Sequence, residues 1–440
     1  FEQLAGGTGA FNIALGVRLK GQLNASALEQ TLGEIIRRHE SLRTVFPAVD
    51  DRPVQVIQSP HTFSLPFIDL THLPELEREG EAARLAQEET LRRFDLAHGP
   101  LVRPTLLKLR DDEHVVVCTM HHITGDGQSF EVIISEMSQL YSALSVGHPS
   151  PLPELQVQYA DYSAWQRQWL QGEVLETRLA YWRRQLEDAP ESLNLPRRSE
   201  RPKVQRFRGA RHQIRIPSEL VGALRELCGK EGMTLYMLMF AAYVVLLSQY
   251  TDDEDIVVGS TYANRERAEA EKLIGILTNT LVLRFDIAGA QTFRDVMRKV
   301  REVCLDAYSY QVPPELLRED FGRRGEERER LFDVWFQLER VWQEKFDMRG
   351  LIVEPYNESK EVTRIELSLG LTEMDQEIGG LLEYDDQLFT AETTAQMLED
   401  YMNLLSIMAA NPERELSAFS PAGAPGIGQH DPALVANLEL

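Results

Sequence analysis

Residues 11–20, FNIALGVRLK, partly alternate between apolar and polar positions, the period of a strand with one buried face. Asn24 precedes a stripe of apolar residues spaced by three and four, so it reads as the cap of a helix running from Ala25 or Ser26 to about Arg38. A long polar, periodic stretch over 74–94 predicts a surface helix. Strands follow over 101–110 and 114–120, the second containing VVVCTM, an apolar β-branched run suited to burial on both faces. Gly127 opens an amphipathic helix to about Leu144, which the Gly and Pro of GHPSPLP at 147–153 stop. Helices over 159–170 and 175–186 lead to PRRSERP at 196–202, a junction by composition.

Beyond that junction the same mixture returns. A strand is expected over 211–216, helices over 218–231 and 234–248, and strands over 256–259, 279–285, 332–338 and 365–371, the last paired with 379–384 across 373–377. Helices should cover 292–308 and 391–408, and the Pro-, Gly- and Ala-rich tail from Ser420 reads as linker. The two halves share an order of elements without a short tandem repeat. The expected fold is therefore mixed α/β in two lobes.

Length supports this division, because 440 residues exceed the usual single-domain size. The expected division is an N-terminal lobe over 1–175, an inter-lobe linker over 176–209, a C-terminal lobe over 210–419 and a C-terminal linker over 420–440. A formal charge of -23 argues against nucleic acid or an anionic membrane as the main partner, since both reward clustered Lys and Arg. The three cysteines, Cys118, Cys228 and Cys304, are odd in number and lack a Cys-x-x-Cys pair, which fits reduced thiols in a cytoplasmic protein. The most apolar segment, LYMLMFAAYVVLL at 235–247, falls short of the roughly 20 residues that span a bilayer and reads as a buried helix. The start, FEQL, is unlike a secretory signal and has no initiator Met, as an excised and monomeric fragment would.

Candidate chemistry concentrates in His121-His122-Ile123-Thr124-Gly125-Asp126-Gly127, directly after the buried strand. Strand alternation sends the two imidazoles to opposite sides, so they make a poor two-ligand metal site and only one can face a given cavity. A single neutral imidazole suffices as a general base. Asp126, in a turn where Gly125 and Gly127 suggest unusual backbone angles, can orient an imidazole or clamp the turn to an arginine.

Four stretches in this order resemble the condensation domains of nonribosomal peptide synthetases. Arg38-His39-Glu40-Ser41-Leu42-Arg43-Thr44-Val45-Phe46 is similar to RHExLRTxF, and Met120 to Ser129 is similar to MHHxxxDGxS. Tyr159-Ala160-Asp161-Tyr162-Ser163-Ala164-Trp165 resembles YxDYAxW, and Ile274 to Arg284 resembles IGxFVNTxxxR. The resemblance implies two chloramphenicol acetyltransferase-like lobes meeting in a V, with the double-histidine motif at the floor of a central tunnel. It implies amide formation between a donor acyl or peptidyl thioester and an acceptor amine. Donor and acceptor carrier proteins would bring both on phosphopantetheine arms, beside an adenylation domain. Neither a metal nor a cofactor of the domain's own is implied. By this resemblance His122 is the catalytic residue, His121, Asp126, Gly127, Arg43 and Arg284 support the motif, and Ser129 and Asn279 are candidates to line the substrate passage. The Gly127 N–H is a candidate for the developing oxyanion, and Asn279 for satisfying a buried backbone group. The arginine candidates to pair with Asp126 are Arg43, Arg265 and Arg284. Arg197, Arg201, Lys203, Arg206 and Arg208 read as a solvated linker, or else as a contact for phosphate or an acidic carrier. Met237 and Trp335 read as core.

Departures from the pattern bear on substrate class. The SxAQxR signature is missing before Phe1, Thr124-Gly125 and Gln128 replace Ser and Trp, and Leu277 replaces Phe. The stretches Tyr310 to Glu315 and Glu329 to Val334 match HQDxPFE and SRNPLFxV only loosely. A specialised subgroup that also modifies the tethered residue, for example by dehydration, is one reading. Epimerisation, non-catalytic docking and acyl transfer from soluble coenzyme A thioesters stay open as alternatives. A heterocyclisation domain would carry DxxxxD in place of the histidines.

Overall fold

The structure, a computed structural model, describes residues 9, 11–50, 52–201, 209–323, 330–340, 348–356, 363, 365–374 and 376–419. The expected tail over 420–440, the first four residues, Lys203, Arg206, Arg208 and Glu329 lie outside the described residues. The chain forms two compact units. The first comprises the described residues of Phe1–Gln171, Ala263–Thr278 and Trp342–Lys360, the second those of Gly172–Tyr262, Asn279–Val341 and Glu361–Leu440. The expected lobe boundary at 175/176 therefore falls inside a helix, Gly172–Gln185, and two later segments join the first unit.

The first unit is a five-stranded sheet in the order Leu351–Pro355, Asn12–Gly21, Glu113–His121, Val102–Arg110, Phe67–Asp69. All its pairings are antiparallel except Phe67–Asp69 with Val102–Arg110. Even positions of the central strand, Val116, Cys118 and Met120, pack with Leu28, Leu32 and Ile35 of helix Ala25–Arg38 and Ile133, Met137 and Leu140 of helix Gly127–Leu144. Odd positions, Val115 and Val117, pack with Ala82 and Ala86 of helix Glu75–Leu91. This is why the strand has no polar alternation: both faces are covered. Asn24 caps the first helix as expected, its Oδ1 accepting the Ala27 N–H at 3.0 Å.

Arg38 and His39, the start of the RHE stretch, are spent on packing. Both nitrogens of a fork from Arg38 reach Glu136 on helix Gly127–Leu144, at 3.1 and 3.0 Å, and His39 Nε2 lies 3.1 Å from the same carboxylate. Arg38 is 4% exposed and His39 1%. Burial alone would raise the Glu136 carboxyl, but His39 and Arg38 outweigh it and hold it below its ordinary range. Glu136→Gln keeps the shape and removes the charge, so it is expected to cost about 1.5–3 kcal/mol, read as a lowered urea midpoint with an unchanged slope.

The second unit is a six-stranded mixed sheet in the order Asn279–Asp286, Asp255–Tyr262, Val334–Arg340, Leu367–Glu373, Ile378–Tyr384, Ala210–Ile216. The central pairings of Val334–Arg340 with its two neighbours are parallel. Helices Ser218–Glu231, Leu235–Thr251, Phe293–Ser309 and Ala391–Ala410 pack around an aromatic centre in which the Phe240 and Phe336 rings stack at 4.6 Å. Leu235–Thr251 is buried almost throughout, which explains an apolar pattern with no polar side. Among the described residues no single helix is long and apolar enough to cross a membrane.

Several sequence readings change here. Arg197 and Arg201 are held in ion pairs rather than left as a solvated linker: Arg197 Nε lies 2.8 Å from Glu366, and Arg201, still partly exposed, lies 2.5 Å from both Glu366 and Asp333. They pin the stretch before residue 202 to this unit's sheet. Met237 is core, but Trp335 is half-buried and donates from Nε1 to Gln337 at 2.9 Å. Cys118, Cys228 and Cys304 are free and buried, with burial pushing their thiols up to about 12, 11 and 12.

Candidate active site

The buried strand ends at His121; His122 N–H still bonds the Phe11 carbonyl at 2.8 Å, but residue 122 already stands in the turn that the Thr124 N–H to His121 carbonyl bond closes. Strand alternation holds as far as His121 and no further, so it does not by itself fix the face of His122. His121 is 5% exposed between Phe11 and Phe94, with ring centroids at 6.4 and 6.0 Å. Its Nδ1 accepts the Ile123 N–H at 3.0 Å, so that nitrogen carries no proton and its lone pair is already committed. His122 is half-buried.

The turn after them is held from inside. Thr124 donates both its N–H and its hydroxyl to the His121 carbonyl, each at 2.9 Å. Gly125 has no positive φ, contrary to expectation, and neither has Gly127. Gly125 is needed for close approach, since a Cβ there would lie 2.8 Å from Met120 Sδ and 3.1 Å from Ser129 Cβ.

Asp126 is the N-cap of helix Gly127–Leu144 and is 1% exposed. Its Oδ1 accepts from Ser129 N–H at 2.9 Å, Ser129 Oγ at 2.7 Å and Arg265 Nη2 at 2.9 Å. Its Oδ2 accepts from Leu277 N–H at 3.1 Å, Thr278 N–H at 3.1 Å and Thr278 Oγ1 at 2.9 Å. Burial would raise its carboxyl, but Arg265, then Ser129 and Thr278, overcome this and hold it below the usual carboxylate range. A carboxylate with every lone-pair direction in use has no capacity left for an imidazole or a substrate.

Of the three arginine candidates, Arg265 is the partner of Asp126. Arg43 instead binds the Gln58 carbonyl and Glu40, and Arg284 forks onto Asp255 at 2.9 and 2.7 Å within the second unit. Only tertiary contact separates these three. Ser129, a candidate for the substrate passage, is fully buried, donating to Asp126 and accepting from Gly275 N–H at 3.2 Å, and is not available to a substrate. Its place was legible as a capping box, Asp126 three residues before Ser129 at the start of an amphipathic helix. Asn279 donates to the Val312 carbonyl at 3.0 Å and accepts from Thr280 N–H at 3.0 Å, so it satisfies backbone groups in the second unit. Gly127 is exposed at the helix start, and the Asp126 cap takes the Ser129 N–H rather than its own.

Sequence reasoning named the segment that closes on this turn as a motif stretch but gave it no place there. Gly275 to Thr278 lies against Asp126, Ser129 and Tyr159, so three of the four motif stretches meet in one network.

The family described as Condensation domain matches residues 1–422. The chain is 41% identical over 413 residues to a linear gramicidin synthase of Brevibacillus parabrevis and 36% identical over 418 residues to Malpinin synthetase of Mortierella alpina. These matches cover 93% and 94% of this chain but 5% of each relative, so the chain spans a small part of their length. Among solved structures, the X-domain from teicoplanin biosynthesis is similar with a TM-score of 0.83 and 27% identity, covering 92% of each chain.

Proposed function

This chain belongs to the condensation domain family, and we propose that it joins a donor acyl or peptidyl thioester to the amine of an acceptor aminoacyl thioester. In this reading each substrate arrives on the phosphopantetheine arm of a carrier protein, and the domain works beside an adenylation domain in the cytoplasm. The observation that carries the proposal is the division of labour in the His121 to Gly127 turn. His121 and Asp126 are committed to holding the turn, and His122, half-buried at the head of that turn, serves the substrate.

The amine of the acceptor attacks the donor thioester carbonyl carbon. An α-amino group titrates at about 7.7–8, so part of it is already neutral near pH 7 and a strong base is unnecessary. Orientation then supplies much of the rate, up to about 7–11 kcal/mol for well-aligned reactants. His122 accepts a hydrogen bond from the attacking amine and takes its proton as the C–N bond forms. The Gly127 N–H, at the positive end of its helix, faces the developing oxyanion. Collapse of the tetrahedral species breaks the C–S bond. The donor arm leaves as a thiolate that is protonated, and the lengthened chain stays on the acceptor arm.

The likeness to the X-domain, which a second solved structure holds in complex with OxyB at 26% identity to this chain, favours a second reading as a docking domain. One experiment separates the readings. A donor and an acceptor carrier, each loaded with aminoacyl-pantetheine, are mixed with this domain, and the acceptor is weighed by intact mass spectrometry. Condensation is expected, seen as a dipeptide on the acceptor. Loss of a further water marks the dehydrating subgroup, unchanged mass with inverted stereochemistry marks epimerisation, and no change at all supports docking.

A further inference from the structure

We infer that Tyr159 is a positioning residue for this chemistry, a role that rests on the condensation reading of the His122 turn. It acts by seating the Gly275 to Thr278 segment beneath Asp126.

Tyr159 opens helix Tyr159–Trp169 within the first unit. Its ring occupies the space a side chain at 275 would need, for a Cβ on Gly275 would lie 2.1 Å from Tyr159 Cδ2. Its hydroxyl donates to the Ile276 carbonyl at 3.0 Å. Burial, reinforced by the Asp126 charge, pushes the phenol up to about 12, so it stays a donor at any working pH. The segment is thus gripped from one side by the Tyr159 ring and hydroxyl. On the other side it meets Ser129 Oγ, through Gly275 N–H, and Asp126 Oδ2, through three donors from Leu277 and Thr278.

Three donors converging on one oxygen leave little tolerance, because hydrogen bonds weaken steeply with misalignment. The height of residues 275–278 over the turn therefore fixes where the Asp126 carboxylate sits. Asp126 is four residues from His122, and Thr124 is tied to His121 between them, so the turn has little slack to absorb a shift. Displacements near 1 Å at reacting groups cost about 100-fold in rate. Leu273, Leu277 and Tyr162 pack around Tyr159, and a phenylalanine would keep those contacts. The hydroxyl is the part that sets the segment's height.

Tyr159→Phe is expected to lower kcat about 10-fold, a partial form of that misplacement, with KM for both loaded carriers and the melting temperature close to wild type. Tyr162→Phe, in the same apolar cluster and bonded to Asn264 at 3.0 Å, is expected to retain wild-type kcat. In an Asp126→Asn background, Tyr159→Phe should cost nothing further, since both act through one contact. The NMR shift of the His122 ring, read in the same variants, should move in Tyr159→Phe and not in Tyr162→Phe. Wild-type kcat in Tyr159→Phe, an equal loss in Tyr162→Phe, or a full second loss on Asp126→Asn overturns the role. An unmoved His122 shift overturns it whether or not product forms, whereas a folded wild type that forms no product overturns the condensation reading alone.

Discussion

His122→Ala is expected to lower the rate of amide formation by about 10²–10⁴-fold, the range for a positioned proton acceptor, while the protein melts near its usual temperature. His122 is half-buried and stands one residue past the strand, at the head of the turn. Its backbone bond to Phe11 survives the substitution, so the strand end keeps its geometry. The loss should fall on kcat, because the imidazole acts on a proton that leaves the amine only as the new bond forms. Single-turnover transfer between preloaded carriers measures this step apart from carrier docking. A variant that transfers at the wild-type rate while folded would remove His122 from the chemistry and move weight to the docking reading.

Asp126→Ala should be inactive for a different reason: the site collapses. It leaves Arg265 buried with its charge unmatched, and it strips the helix cap and the seat of residues 277 and 278 in one step. Breaking a buried pair from one side costs about 3–5 kcal/mol. At about 2–4 °C per kcal/mol for a unit of this size, the melting temperature should fall by roughly 10 °C. Arg265→Ala should lose a similar amount, and the double variant less than the sum of the two, as expected for groups in direct contact. Acid should act in the same direction. The folded-state pKa of Asp126 lies below its unfolded value, and so does that of Glu136. The stability each contributes is therefore complete above the unfolded pKa, about 4, and is lost as pH falls through the depressed folded value. Melting curves from pH 7 to pH 3 should show wild type losing stability at the acid end and Asp126→Ala losing less of it. An inactive Asp126→Ala that melts with wild type would instead give the carboxylate a direct part in the reaction.

The helices over 127–144 and 218–231 were legible from end to end because their signals are local: an apolar stripe and a glycine or proline at the stop. The strand Leu351–Pro355 was not, being five residues long and placed in the first unit only by pairing with Asn12–Gly21, through contacts such as Lys20 with Glu354, 334 residues apart. Helix Pro314–Arg323 was hidden behind a motif reading of its first residues. At the site, the motif marked out the turn, but strand alternation ended at His121, one residue short of separating the two histidines. The reading of Gly125 as a strained glycine failed because its need is steric and comes from Met120 and Ser129 folding back onto it.

By itself the sequence determined the family, the mixed α/β elements and the identity of the turn that carries His122, since each is written in periodicity or in contiguous residues. Only the tertiary structure decided that Arg265 and not Arg43 or Arg284 neutralises Asp126, that the Gly275 to Thr278 segment seats on Ser129 and Asp126, and that Tyr159 meets Gly275. Those choices join residues 116 to 152 positions apart. Three arginines of equal charge differ only in where the folded backbone leaves their guanidinium groups, and no local pattern carries that distance.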